Sequence, residues 1–139
     1  MAADSTGYSK TPLSRKLGLT PGSRVRIVNA PNDFWDKVGF DSDAFGRGEG
    51  AAGPLDWQQL FVRSESELEK RLPSLREAMH DSAVLWVSWP KGGKVGRGDL
   101  VRESVREIVL RSDLVDVKVC AFDETWSALK FVIRRSRRG

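Results

Sequence analysis

The chain has 139 residues, 40% of them hydrophobic and 30% charged, enough for one domain around a single core. No apolar run approaches the roughly 20 residues that span a bilayer, and the N-terminal MAADSTGYSKTPLSRK lacks the apolar centre of a secretory signal. A cytoplasmic protein with no membrane partner is therefore expected. The net charge of +4 comes from the C-terminus: the 23 Lys and Arg, less Arg134, Arg135, Arg137 and Arg138, equal the 19 Asp and Glu. Such a tail is read first as a solvated terminus, and contact with a nucleic-acid backbone or an acidic partner is the lesser reading.

Residues 1–10 are small, polar and unpatterned, and are expected to be flexible. A single domain over 11–134 and a basic tail over 135–139 complete the division of the chain. Thr11 followed by Pro12 suits a helix start, which Gly18 would stop. RVRIVNAP supplies a first β-branched strand closed by Pro31, and PNDFWDKVGF a short helix with Phe34, Trp35 and Val38 on one side. DSDAFGRGEGAAGP has four glycines and little to bury, so any second strand there is short or missing. LDWQQLFV reads as a strand, and Ser64 with Glu67 as the capping box of the next helix. Leu68, Leu72, Leu75 and Met79 share one face of that helix, His80 ends it, and Pro73 is expected to kink or split it.

SAVLWVSWP is a nearly continuous apolar run, the pattern of a central parallel strand covered on both faces. After KGGKVGRG, Asp99 is placed to cap a helix whose buried stripe is Val101, Val105 and Ile108. VDVKVCAF and ALKFVIR, joined by DETWS, read as a closing antiparallel hairpin. Strands alternating with helices imply an α/β fold of three layers, a Rossmann-like sheet that is mostly parallel with the last strand inserted antiparallel.

A βαβ series closed by such a hairpin resembles the class I methyltransferase architecture, here reduced and short of a strand. The segments GYSKTPLSRKLGL, LFVRSESELEKRLPSLREAM, LWVSWPK and VDVKVCAFDETWSALKFVIRR are together similar to the small bacterial family called domain of unknown function 3052. The resemblance runs from Gly7 to Arg135. It implies the fold and no activity.

Chemistry is harder to find. Binding of S-adenosylmethionine by a methyltransferase-like scaffold needs a glycine-rich turn after the first strand, where the backbone closes on the ligand. NAPNDFW has no glycine, and Pro31 lacks an amide hydrogen. An acidic residue for the ribose would follow a barely detectable second strand, and FVRS stands where amino methyltransferases carry Asn/Asp-Pro-Pro-aromatic. No cofactor is implied by these residues. PKGGKVGRGD, with Lys91, Lys94 and Arg97, is read as a crossover loop before a phosphate cradle, since it matches neither a Walker motif nor G-x-G-x-x-G. One histidine and one cysteine assemble no zinc site, and Cys120 in mid-strand reads as a small hydrophobe with a raised pKa.

The strand ends remain. Asn29, Ser64, Trp89, Lys91, Asp123, Glu124 and Trp126 are expected to gather there as a site for a small molecule or a protein partner. The competing reading makes Trp126 a lid on the core and Asp123 and Glu124 mere turn residues. A non-catalytic binding or regulatory module is the reading favoured by these residues. A degenerate methyltransferase-like enzyme and a nucleic-acid-associated protein are its alternatives, and a homodimer follows if several of the five tryptophans share an exposed face.

Overall fold

The computed structural model describes residues 12–47, 54–92 and 100–137. Residues 1–10, the Thr11 cap, Lys94, Arg97, the Asp99 cap and Arg138 lie outside the described residues. In chain order the elements are α1 (Leu13–Leu17), β1 (Arg24–Val28), α2 (Phe34–Val38), β2 (Gly46–Arg47), β3 (Leu55–Phe61) and α3 (Glu65–Glu77). They continue with β4 (Met79–Pro90), α4 (Arg102–Leu110), β5 (Leu114–Ala121) and β6 (Trp126–Ile133). The six strands among the described residues form one sheet in the order β2-β1-β3-β4-β6-β5. β2, β1, β3 and β4 run parallel, and β6 enters antiparallel between β4 and β5.

Two cores cover the two faces of this sheet, because alternate residues of a strand point to opposite sides. Leu68, Leu72 and Leu75 of α3 and Val105, Ile108 and Val109 of α4 pack on Leu60, Leu85, Val87, Leu129 and Phe131. Leu17 of α1 and Phe34 and Val38 of α2 pack on the other face with Trp57, Phe61, Trp86 and Trp126. The three-layer α/β reading is thereby met. β4 is buried over both faces as its apolar run requires, and β2 has only two residues.

Gly18 stops α1 with φ 68 and a Leu19 N–H to Ser14 carbonyl bond of 2.9 Å, a turn that favours glycine because it carries no Cβ. Leu17 is held from the far side. The indole N–H groups of Trp57 and Trp86 both donate to its carbonyl, at 2.8 and 2.9 Å.

Several local expectations are corrected. α3 is one helix through Pro73, which neither splits it nor breaks its buried stripe; the ring lies on the exposed face. The helix ends at Glu77, so Met79 and His80 open β4 instead of closing α3. β4 therefore begins three residues before the apolar run. His80 Nε2 is 2.7 Å from Asp56 Oδ1, and the Ser82 N–H donates to Nδ1, so the imidazole bridges β3 and β4. Val101 is 45% exposed and precedes α4, leaving the buried stripe to Val105, Ile108 and Val109. Arg135–Arg137 form a 3-10 turn, so the start of the basic tail has defined, exposed structure.

Candidate functional site

The carboxyl ends of β1, β3 and β4 converge with the start of α2 and the β5–β6 turn, the place where open parallel sheets bind ligands. β1 is followed by Asn29, the one described non-glycine residue with positive φ, at 62°. Its carboxamide nitrogen donates to the Phe61 carbonyl at 3.3 Å and to Glu67 Oε2 at 3.0 Å, tying β1 to β3 and α3. Ser64 caps α3 by accepting the Glu67 N–H at 3.2 Å. Only half of the capping box forms, because the Glu67 carboxylate goes to Asn29.

Asn29→Ala should lose about 1–2 kcal/mol, combining left-handed strain with the lost tie. Asn29→Gly loses the tie without the strain. Urea unfolding of both variants checks this, and equal losses would show that φ is not the constraint at this position.

The DETWS corner is a constructed turn. Asp123 Oδ1 accepts the backbone N–H groups of Thr125 and Trp126, each at 2.8 Å, and its Oδ2 meets Lys37 Nζ at 3.3 Å. Phe122 N–H donates to the Trp126 carbonyl at 2.9 Å, and Lys91 N–H reaches the Thr125 carbonyl at 2.8 Å. Glu124 is exposed. Trp126 is a lid on the core, edge-on to Phe61 at 5.0 Å with the Arg63 guanidinium 5.1 Å above its ring.

Of the residues expected at a ligand rim, Asn29, Ser64, Lys91, Asp123, Glu124 and Trp126 do come to this end of the sheet. Trp89 does not open onto it: it is buried in the core beneath α3 and α4. Asn29, Ser64 and Asp123 already hold backbone or neighbouring groups, so their first duty is structural. The tryptophans offer no shared exposed face, since Trp57, Trp86, Trp89 and Trp126 are buried and Trp35 is half-buried. The homodimer reading loses its signal.

Polar groups within the sheet were not legible as such. Gln58 donates to the Leu75 carbonyl at 2.8 Å, and Gln59 to Ser88 Oγ at 2.8 Å. Gln58 Oε1, Gln59 Oε1 and Arg26 Nε have no partner among the described residues. The adjacent glutamines in LDWQQLFV are the only sequence sign of them. Cys120 is half-buried, and burial pushes its thiol up, against the pull of Lys16 and Lys118, as its mid-strand position leads one to expect. Among the described residues no group of His, Cys, Asp and Glu is placed to hold a metal, and no helix is long and apolar enough to cross a membrane.

No family model and no curated protein matches the chain. Solved structures do. A TehB-like SAM-dependent methyltransferase from Corynebacterium glutamicum ATCC 13032 Kitasato is similar at 12% identity and a TM-score of 0.57, over 94% of this chain and 91% of that one. The N-methyltransferase NodS from Bradyrhizobium japonicum WM9 is similar at 8% identity and a TM-score of 0.57, over 88% of this chain and 93% of its own. LepI, solved in complex with SAM, is similar at 14% identity and a TM-score of 0.53 over 88% of this chain, which spans 39% of LepI. These likenesses overturn the favoured reading of a non-catalytic binding module, and the methyltransferase-like alternative fits them better. The chain has the α/β fold of SAM-dependent methyltransferases, with parallel strands on its N-terminal side and an antiparallel pair at its C-terminal end.

Proposed function

We propose that this chain is a degenerate S-adenosylmethionine-dependent methyltransferase-like enzyme, and that the segments quoted above make it a member of the domain of unknown function 3052 family. The observation that carries the enzyme reading is the sheet itself. The chain, with β6 inserted antiparallel between β4 and β5, is similar to two of these methyltransferases over about nine-tenths of their own length.

The residues described at the rim do not fit the cofactor in the manner of a glycine-rich turn. Asn29 holds the left-handed position with its carboxamide engaged, and Pro31 has no amide hydrogen to offer. Ala30 and Asn32 are exposed, so the turn's backbone is nevertheless open to a ligand.

Calorimetry with S-adenosylhomocysteine tests the proposal. The expected result is saturable binding near 100 µM, about −5.5 kcal/mol, weakened at least tenfold by Ala30→Trp, which fills the turn. No saturable heat up to about 1 mM ligand would reject it.

A further inference from the structure

We infer that the end of the sheet opposite the rim carries a contact surface for the phosphate backbone of a polynucleotide, centred on Arg134 and Arg137. A cleft of 760 Å³ opens there between the end of α4 and the end of β6, lined by Arg111, Ser112, Asp113, Arg134, Ser136 and Arg137. Its one carboxylate is already taken: Asp113 receives Arg76 through two bonds of 2.6 and 2.8 Å. Arg111 meets Glu69 at 3.0 Å, whereas Arg134 and Arg137 form no direct ion pair with a described carboxylate, Arg137 lying only within electrostatic reach of Asp113.

The α1 face of the same two strands carries further charge of this sign. Lys118 and Lys130 are direct cross-strand partners, an arrangement that costs stability when nothing negative lies between them. Neither has a carboxylate partner among the described residues, and Lys118 Nζ donates instead to the Lys16 carbonyl at 3.3 Å. Lys130 and Arg134 are four residues apart on one extended segment, about 13 Å at strand rise.

Repeated phosphates suit this layout better than a single acidic side chain does. Arg134 and Arg137 stand three residues apart where β6 ends, beside Arg111, and guanidinium groups bind phosphate oxygens in pairs. The cleft is at the far end of the strands from the candidate cofactor rim, so the inference does not depend on the proposed enzyme.

Fluorescence anisotropy of the full chain with a labelled single-stranded RNA of about 20 nucleotides, between about 50 and 200 mM salt, tests it. For Arg134→Ala/Arg137→Ala the slope of log affinity against log salt should become shallower by about 1.4, the share of two phosphates on a single strand, with about tenfold weaker binding at low salt. The lysine pair of variants, Arg134→Lys/Arg137→Lys, should keep the slope, since the charge is retained. An unchanged slope in the alanine variant, its fold verified by circular dichroism, would overturn the inference. Equal binding to polyglutamate of the same charge would also overturn it, in favour of an acidic protein partner.

Discussion

Replacing Trp57 and Trp86 together by phenylalanine is expected to destabilise the protein by more than the two single changes added, with a coupling of about 1–2 kcal/mol. Both indoles donate to one acceptor, the buried carbonyl of Leu17 at the end of α1. In either single variant the other indole still satisfies that carbonyl, so the loss is one hydrogen bond and some packing. In the double variant a buried carbonyl is left without a donor, which carries the full desolvation penalty. Trp86→Ala should be more damaging than any of these, at about 3–5 kcal/mol, because the side chain is fully buried and its volume cannot be refilled from the surrounding sheet. That is a large share of the roughly 5–15 kcal/mol that holds a domain folded. Urea unfolding of the four members of the cycle measures the coupling. Strict additivity would mean that Leu17 finds another donor, or that α1 leaves the sheet once one indole is lost.

Acid should weaken the fold through two carboxylates that are ionised more readily in the native state than in the unfolded chain. The Arg76 guanidinium holds the Asp113 carboxyl below its ordinary value, and the Arg24 backbone N–H, followed by His80, does the same for Asp56. A depressed native pKa adds stability that is fully present above the unfolded value of about 3.9. That stability disappears as pH falls through the lower native value. The Arg76–Asp113 pair links the end of α3 to the start of β5 and is only partly shielded, with side-chain exposures of 30% and 21%. Arg76→Ala should therefore cost about 1 kcal/mol at pH 7, toward the low end for a charged hydrogen bond because solvent screens the pair. The difference between wild type and variant should shrink below about pH 4. Thermal melts from neutral pH downward measure it, and a difference that does not shrink at all as pH falls below about 4 would exclude the ion pair as its source.

Much of the scaffold was legible because its signals are local. The alternation of strands and helices, the two-residue β2 and the Gly18 stop follow from periodicity and turn chemistry within a few residues. Ser64 was legible as a cap for the same reason. Its Glu67 partner was not, because the carboxylate meets Asn29, 38 residues away in the chain. His80 misled in the opposite way: amphipathic spacing carried α3 past Glu77, but the bond to Asp56 requires an extended segment beside β3. Trp89 ends an apolar run and so falls at the rim by sequence, whereas strand alternation turns it into the α3–α4 core.

The sequence alone determined which segments become strands and helices, the antiparallel closing hairpin and the place of the basic tail, because these depend on period, glycine, proline and charge read nearby. Only the tertiary structure decided which polar groups meet. Leu17 takes donors 40 and 69 residues away, Asp123 closes its own turn and also reaches Lys37, and Arg134 and Arg137 line one cleft with Arg111. Such pairings belong to the packing of distant segments, where hydrogen-bond and charge geometry are set by the sheet and not by neighbours in the chain.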